Sequence, residues 1–581
     1  MHWPRAIVSE RQVGEIGRRI FMALRHTIDR VRQWWFFTAL VTLCASTGLV
    51  DNGSCYGQVV DEPPLIGAAG ADVVAVCPPE LQPSIASWIE RRRAQGLTVQ
   101  VIKPDVTAEL TRKRIADSAS IGKTRYVILI GDPQLAPDGN PKYPRFYVPA
   151  IYRRADATAA YQSTSHLPGD YLYGDFNDDS KVDAAVGRLP VSSAQQAVAM
   201  LQRIADYEES RDFGRWRSRV DLIAGLGGFG PLIDGAIETV ASGMITGSLP
   251  GSVRTRVTHA GPDSLFCPGP GCFTDTVLEN YSDGSRFWVY AGHGHVRELD
   301  RVPATRFGRP VLASGDVENL RRPASAAPIA LLLACYTGAY DSPEDCLAKE
   351  MFLADGGPIA VLAGSRVTMP YGNASAAMGL IHSVYHRRPE RLGDAWLETL
   401  SEMATPSNAE PELHSRRMVI DGLATLLGGG RIDDERREHM QLYNWLGDPT
   451  LRLGHPQELV INDSGRIVAG QKVTISGIVP MPGTLTVELH RRLGTVPMNK
   501  AQPFTANKVD PTLARYQQAN DTAISSNQTL IGDAGPWTAE LQIPADANGP
   551  MRIVVDLESS GGFATGVQSV WIRPSATTAK D

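Results

Sequence analysis

Two short apolar segments constrain the fold of this chain more than any other feature. The first, Phe287–Ala291, runs directly into a Gly-His-Gly triplet centred on His293, and the second, residues 329–334, runs directly into Cys335. Unbroken apolar runs of this length are typical of strands that are buried on both faces of a parallel sheet. Because ligands bind beyond the carboxyl ends of such strands, we expect His293 and Cys335 to emerge at the functional edge of one sheet.

The rest of the chain up to residue 455 alternates between strand-like and helix-like patterns. Buried strands are predicted at Val73–Val76 and Tyr126–Ile130, and a helix with one apolar face is predicted at 192–210. This alternation predicts an α/β fold with a parallel sheet. The pattern restarts after the helix, which predicts two α/β subdomains, over residues 71–215 and 216–455.

The carboxyl-terminal part of the chain, from residue 456 to residue 575, has a different apolar period. Val473 and Ile475 alternate with polar residues, and so do Leu485, Val487 and Leu489. A period of two is typical of strands with one buried face. Several short strands of this kind, separated by Pro- and Gly-containing turns, predict a β-sandwich.

The amino terminus carries the pattern of an export signal. Five arginines between residues 18 and 32 precede an apolar stretch at 34–45 and small residues at 46–48, which is the order expected of a secretory signal. The stretch is shorter than the roughly 20 residues of a spanning helix. Residues 1–50 are therefore predicted to be a cleaved signal; an uncleaved anchor that tethers the protein to a membrane through 34–50, and an ordinary buried helix, are the alternatives. Residues 51–70 are predicted to be a linker, and the protein is expected to be secreted or held in the cell envelope.

Charge and cysteine spacing exclude some classes of partner and cofactor. The formal net charge is −6 and the body of the chain has no long basic run, which argues against nucleic-acid binding. Export implies an oxidising compartment, in which Cys267 and Cys272 could close a small disulfide loop. No C-x-x-C pair occurs among the seven cysteines, so a structural zinc site is not expected.

An acidic stretch precedes the Gly187-Arg188 dipeptide. Oxygen-bearing side chains alternate at Asp175, Asn177, Asp179 and Asp183, as they do in calcium-binding loops. The central glycine and the late bidentate glutamate of such loops are missing. Two interpretations stay open, a solvated acidic turn and a structural Ca²⁺ site; no cofactor is otherwise expected to be required.

The histidine and the cysteine together indicate thiolate catalysis. A thiolate attacks a carbonyl carbon, and a neighbouring imidazole helps to form the thiolate or protonates the leaving amine. The developing oxyanion needs backbone N–H donors. The amide of Gly294, which has no Cβ to block close approach, and the amide of Cys335 are the expected donors. His295 is the rival for His293, but Val296 follows it instead of a glycine.

With these residues in this order, the chain resembles the gingipain-like cysteine peptidases, which are peptidase family C25 of the caspase-like clan. The resemblance covers about residues 70–570. The matching residues are the Gly187-Arg188 turn, residues 290–294, Ala334-Cys335, Gly364-Ser365, the Leu-Gly-Asp-Pro sequence at 446–449, and the sandwich that follows.

The resemblance implies a function and residue roles. It implies an endopeptidase with Cys335 as nucleophile and His293 as general acid, acting on protein or peptide substrates. It also implies that an acid just before the Gly-Arg turn orients the histidine, and Asp183 occupies that position. The sandwich would correspond to the immunoglobulin-like domain of the family.

Substrate specificity is predicted less directly. The resemblance implies cleavage after basic residues, which needs a carboxylate in the pocket. Thr368, Met369 and Tyr371 are expected to line one wall of the substrate pocket. Three acids lie just beyond Cys335 and either supply this charge or form a solvated helix start; they are Asp341, Glu344 and Asp345.

Two other functions are compatible with the same sequence. One is a transpeptidase that uses the same Cys-His pair for sorting or ligation. The other is an inactive caspase-like scaffold whose sandwich binds a partner or contacts the cell surface.

Overall fold

A computed structural model describes residues 70–133, 146–226, 249–262, 264–269, 271–303, 307–405, 410–426, 431–491 and 509–575. The chain divides into two units, residues 1–66 and 67–581, and the described residues belong to the second. The predicted signal or anchor and the predicted linker up to residue 69 lie outside these residues. A helix that the sequence predicts at 232–246 lies outside them as well.

A large central sheet occupies the first part of the described chain. Its strands and those of two small hairpins are β1 (Val73–Val76), β2 (Val99–Ile102), β3 (Tyr126–Ile130), β4 (Ile151–Arg154), β5 (His166–Gly169), β6 (Ala185–Leu189), β7 (Arg219–Ala224), β8 (Arg254–His259), β9 (Phe287–Ala291), β10 (Arg301–Val302), β11 (Arg309–Pro310), β12 (Ile329–Leu333), β13 (Ala360–Gly364) and β14 (Tyr443–Leu446). The sheet has ten strands in the order β2-β1-β3-β6-β14-β13-β12-β9-β7-β8. The predicted α/β fold is confirmed.

The direction of the strands changes once across this sheet. All neighbours are parallel except β13 and β14, which pair antiparallel. The carboxyl ends of β9, β12 and β13 therefore share an edge with the amino ends of β6 and β14. The regions 71–215 and 216–455 contribute to one sheet, and a single buried core extends from Val73 to Leu453.

Helices cover the faces of the sheet. The α-helices are α1 (Ala86–Ala94), α2 (Ala108–Ser118), α3 (Ala194–Glu208), α4 (Phe273–Asp283), α5 (Leu347–Leu353), α6 (Pro370–His382), α7 (Leu392–Ala404), α8 (Pro411–Leu426), α9 (Ile432–Leu442) and α10 (Val509–Asn520). Short 3-10 turns lie at Pro79–Ile85, Thr158–Tyr161, Tyr171–Gly174, Arg215–Ser218, Ser314–Asn319 and Ala324–Ala326, and a π-turn at Ser383–Arg387.

Helix α3 forms where the apolar stripe predicts it. The Ser193 side chain accepts a hydrogen bond from the Gln196 amide and caps the helix, and the stripe residues Ala197, Met200 and Leu201 are buried. The local sequence thus accounts for both the start of the helix and the face that it buries.

The carboxyl-terminal region consists of mostly antiparallel sheets with a core of their own, in which β15 and β17 pair parallel with β23. Its strands are β15 (Gln457–Glu458), β16 (Val460–Ile461), β17 (Ile467–Val468), β18 (Lys472–Val479), β19 (Gly483–Arg491), β20 (Ala523–Ile531), β21 (Gly535–Gln542), β22 (Gly549–Ser559) and β23 (Gly562–Arg573). One sheet has the order β15-β23-β22-β19-β20, with β17 also on β23, and the other has the order β16-β18-β21. Apolar residues between Leu459 and Ile572 form the core.

The sandwich region contacts the outer strand of the large sheet. Asn520 donates to the Val257 carbonyl and accepts from the Val257 amide, at 2.9 and 2.7 Å. Arg254, also on β8, forms ion pairs with Glu488 and Asp556. The Asn520 side chain thus occupies the amide and the carbonyl of Val257, two of the backbone groups that an exposed edge strand would otherwise present.

The described residues carry no disulfide. Cys77, Cys267, Cys272, Cys335 and Cys346 are all free thiols, so the predicted Cys267–Cys272 loop is not closed by a disulfide in this structure. Of the described helices, none combines the length and the apolarity needed to cross a membrane.

Candidate active site

The register of two parallel strands brings His293 and Cys335 to the same point of the sheet edge. Ala291 at the end of β9 pairs with Leu333 at the end of β12, and the Gly292 amide donates to the Leu333 carbonyl at 3.4 Å. His293 and Cys335 each follow their paired residue by two positions. Adjacent strands lie about 4.8 Å apart, so the two side chains leave neighbouring strands at the same level.

Exposure separates Cys335 from most other cysteines. Cys335 is partly exposed and His293 is exposed, whereas Cys77 and Cys346 are buried. Burial raises the pKa of the Cys77 and Cys346 thiols to about 12, which keeps them protonated and unreactive. Cys272 is the other partly exposed thiol among the described residues, and it directly precedes helix α4.

A network of hydrogen bonds surrounds the Cys335 sulfur. The Thr368 amide donates to Sγ at 3.3 Å, and the Thr368 carbonyl lies 3.6 Å from Sγ. The Asn373 side chain donates to Thr368 Oγ1 at 3.2 Å and accepts from the Tyr443 hydroxyl at 2.6 Å. These contacts hold Thr368 against the sulfur.

Gly294 lies directly against the residues that follow strand β12. A Cβ on Gly294 would be 2.8 Å from the Cys335 carbonyl oxygen and equally close to Ala334 and Thr337. The amides of Gly294 and Cys335 have no hydrogen-bond acceptor among the described residues. Two unpaired amides next to a sulfur are the donors that an oxyanion hole requires.

The loop after Cys335 is held in a strained conformation. Tyr336 has a φ of 58°, in the left-handed region that side chains other than glycine rarely adopt. Its amide donates to the Arg366 carbonyl at 3.1 Å. The Arg366 guanidinium forms a buried ion pair with Asp341 at 2.6 Å and also donates to the His166 carbonyl of β5. This pair connects the loop to β13 and to the β4–β5 hairpin.

A carboxylate that sequence reasoning missed contacts the backbone of His293. Asp300 Oδ2 accepts a hydrogen bond from the His293 amide at 3.1 Å and lies 3.1 Å from the Tyr290 hydroxyl oxygen. The sequence holds only a weak signal for it, an acid seven residues after the histidine in a loop that returns to the strand end.

The structure does not bring Asp183 to His293, contrary to the expectation from the resemblance. Asp183 precedes β6, and its carboxylate accepts a hydrogen bond from the Phe176 amide at 3.0 Å. Three strands, β14, β13 and β12, separate β6 from β9. Four spacings of about 4.8 Å put β6 and β9 about 19 Å apart. The amino end of β6 and the carboxyl end of β9 nevertheless lie at the same edge of the sheet.

The acidic stretch around Asp175 forms a turn with several internal hydrogen bonds, but Asp175 Oδ1 is buried without a hydrogen-bond partner among the described residues. Asp175 Oδ2 accepts from the Ser180 amide at 3.1 Å and lies 3.3 Å from Arg112 Nη2. Asn177 Oδ1 accepts from the Asp179 amide, and Asp179 Oδ1 accepts from the Lys181 amide. Across the described residues, no three His, Cys, Asp or Glu side chains converge as a metal site would require.

The residues expected to line the substrate pocket take different positions. Thr368 contacts Cys335, and the Met369 amide donates to His439 Nε2 at 2.8 Å. Tyr371 is instead buried in a separate cluster with residues of α6 and α8, and its hydroxyl donates to Asp421. Tyr371 therefore faces away from the sulfur because its ring fills the space between the two helices.

The three acids beyond Cys335 are already paired with cations. Asp341 pairs with Arg366 at 2.6 Å, Glu344 with Arg297 at 2.7 Å and Asp345 with Lys349 at 2.7 Å. None of these three carboxylates is left unpaired to receive a basic substrate side chain.

Comparison with known proteins identifies the family. The model of peptidase family C25 matches residues 67–454, which is more than half of the chain. No curated protein sequence matches the chain significantly. Solved structures similar to it include the Arg-specific cysteine proteinase gingipain R, at 14% identity with 86% of this chain and 98% of that chain covered and a TM-score of 0.48. Latent PorU from Porphyromonas gingivalis is similar at 15% identity, with 89% of this chain and 44% of that one covered and a TM-score of 0.32. The chain belongs to peptidase family C25.

Proposed function

We propose that the protein is a cysteine endopeptidase in which Cys335 is the nucleophile and His293 the general acid. The observation that carries the proposal is the register of β9 and β12, in which Ala291 pairs with Leu333. This register puts an exposed imidazole and a partly exposed thiol side by side at one edge of the sheet. The Thr368 amide beside the sulfur and the unpaired amides of Gly294 and Cys335 support the same assignment.

The reaction follows from these positions. The Cys335 thiolate attacks the carbonyl carbon of the scissile bond, a C–S bond forms, and the negative charge moves to the carbonyl oxygen between the two amides. The C–N bond then breaks while His293 transfers a proton to the leaving nitrogen. Water hydrolyses the resulting thioester, which releases the carboxylic acid and restores the thiol.

Specificity after basic residues is supported only by the family resemblance. Asp341, Glu344 and Asp345 each pair with a cation of the protein, so a basic side chain would have to compete with an existing ion pair. A cleavage profile on a peptide library measures the preference directly, and a clear excess of Arg or Lys before the cut would establish it.

Substitution of the nucleophile tests the proposed function. Cys335→Ala should abolish peptide hydrolysis and labelling by a peptidyl chloromethyl ketone, with an unchanged melting temperature. Cys272→Ala is the matched control, because Cys272 is also partly exposed, and it should retain both activities. Full hydrolysis by Cys335→Ala would refute the assignment. An added amine that is joined to the acyl product instead of water would identify a transpeptidase, and a wild-type thiol no more reactive than free cysteine would identify an inactive scaffold.

A further inference from the structure

Asp300 lies beneath the peptide of the proposed general acid. Its carboxylate Oδ2 accepts a hydrogen bond from the His293 amide at 3.1 Å and lies 3.1 Å from the Tyr290 hydroxyl oxygen. The Tyr290 hydroxyl donates to the His293 carbonyl oxygen at 2.8 Å. The same hydroxyl accepts a hydrogen bond from the Asp300 amide at 3.2 Å. Both ends of the His293 residue are thus tied to Asp300, one directly and one through the Tyr290 hydroxyl.

Two glycines make room for this carboxylate. A Cβ on Gly225, which follows β7, would lie 2.0 Å from Asp300 Oδ2, and a Cβ on Gly292 would lie 2.8 Å from the same atom. Neither residue has a positive φ, so the requirement for glycine here is one of space. The ends of β7 and β9 are shaped around Asp300.

Among the described residues, no lysine or arginine forms an ion pair with Asp300, whereas Asp341, in the loop after Cys335, is paired with Arg366. Burial raises the pKa of Asp300, while the His293 amide and the charge of His293 act in the opposite direction. A partly buried carboxylate in this position attracts a positive charge on the neighbouring imidazole.

We propose that Asp300 is the positioning residue of His293, which fixes its backbone and stabilises the protonated imidazole that donates to the leaving amine. This proposal rests on the proposed function, because it assigns His293 the role of general acid. It gives Asp300 the part that the family resemblance suggested for Asp183.

The test compares two leaving groups on one acyl peptide. Protonation by His293 matters for a poor leaving group such as an amine and little for a good one such as p-nitrophenol. The two substrates are a 4-methylcoumarinyl amide and a p-nitrophenyl ester of one peptide, which is chosen from the wild-type cleavage profile. The rate of acylation is the rate at which the coumarin amine or p-nitrophenol is released in a single turnover. The ratio of the two rates does not depend on the amount of folded enzyme, so it can be measured even for a variant that folds poorly.

Asp300→Asn keeps the hydrogen-bond acceptor and removes the charge, and Asp300→Ala removes both. We expect Asp300→Asn to lower the amide burst on the order of tenfold to a hundredfold with little change in KM or in the ester burst. Asp300→Ala should lower the amide burst further, toward the amide burst of His293→Ala. Glu298→Gln, in the same loop and paired with Arg301, is the matched control and should behave as wild type.

Two results would overturn the inference. If Asp300→Asn loses amide and ester acylation equally, the role of Asp300 is structural only. If both rates, and so the ratio of amide to ester acylation, are those of the wild type, Asp300 has no role. Cys335→Ala in the same assay keeps the two proposals apart. If it remains active, the proposed function fails; if it is inactive and Asp300→Asn has the wild-type ratio, only the role of Asp300 fails.

Discussion

Gly294 and Cys335 touch through their backbones, across two strands that are far apart in the sequence. The added Cβ of any other residue at position 294 would meet the Cys335 carbonyl oxygen, the Ala334 Cβ and the Thr337 Cγ2, each at 2.8 Å. Contacts this short force a backbone shift, because none of the three atoms is the free end of a flexible side chain. The spacing between the proposed general acid and the nucleophile therefore depends on this glycine.

Gly294→Ala should separate the two strand ends. We expect a loss of about 1–3 kcal/mol in the free energy of unfolding, as for other overpacked sites, and a fall in kcat larger than any change in KM, since an oxyanion donor moves. Gly315→Ala is the control, because a Cβ there has no neighbour within 4 Å. Urea unfolding and steady-state kinetics measure both effects. Wild-type kcat in Gly294→Ala would contradict the oxyanion assignment.

Substitution of each histidine decides between His293 and His295. Both are exposed, but only His293 is two residues beyond the paired Ala291. We expect His293→Ala to lower peptide turnover by about 10²–10⁴-fold, the usual contribution of a general acid or base, and His295→Ala to have a small effect. The measurement is kcat on one peptide for both variants. The opposite order would assign the role to His295.

Removal of either partner of the Arg366–Asp341 pair should strongly destabilise the fold, because it leaves a nearly buried charge unpaired. Both side chains are about one-tenth exposed, and removal of one partner from a buried pair costs about 3–5 kcal/mol. Asp341→Asn and Arg366→Gln should each lower the free energy of unfolding by about this amount, and the double variant by less than the sum.

The exposed pair Arg309–Asp275 serves as the control. Arg309→Gln should change stability by about 0–1 kcal/mol. Denaturant unfolding of the four variants gives the coupling energy. Strict additivity of the Asp341 and Arg366 substitutions would show that the two side chains do not stabilise each other.

His439 should make the protein sensitive to mild acid. It is buried, and burial lowers its pKa from 6.5 to about 4. Between these values the unfolded chain binds a proton that the folded chain does not, so stability falls as the pH falls from about 6.5 to 4. The full loss from this group is about 3 kcal/mol.

The check is a series of urea unfolding curves at pH 7, 5.5 and 4.5. In His439→Gln the decline over this range should be shallower than in the wild type. Activity should follow stability in the wild type, because His439 Nε2 accepts the Met369 amide next to Thr368. An identical pH dependence in both proteins would show that His439 does not control the acid transition.

Calcium should not be needed by the turn from Asp175 to Asp183. Three of its side-chain oxygen atoms, one each on Asp175, Asn177 and Asp179, already accept hydrogen bonds from backbone amides within the turn. We expect the melting temperature to be the same with excess Ca²⁺ and with chelator. A rise with Ca²⁺ that Asp179→Ala abolishes would restore the metal-site interpretation.

The features that could be predicted from the sequence are those encoded in short segments. The apolar runs before His293 and Cys335 identify two buried strands and the edge where both side chains emerge, because strand period and burial are local properties. The same holds for the Ser193 cap of α3 and for the alternation of β18 and β19.

The features that escaped prediction depend on pairings between distant segments. The reversal of direction at β13 and β14 arises from the pairing of Gly364 with Tyr443, which no local pattern indicates. The positions of Asp183 and Asp300 relative to His293 follow from strand order and loop path. Tyr371 was expected at the pocket because it is close to Thr368 in sequence, but a helix turn directs it into another cluster.

The single reversal of direction in the large sheet has a practical consequence for protein engineering. The loop that leads into β6, which contains Asp175 and Asp183, lies at the same edge of the sheet as Cys335. Strand β6 itself belongs to the other half of the sheet. A peptide inserted between Asp175 and Asp183 would be displayed on the face where substrates arrive, whereas one inserted after Leu189 would be displayed on the opposite face. The first insertion site is thus suited to a tethered substrate or inhibitory peptide. The second is suited to a label that stays away from Cys335.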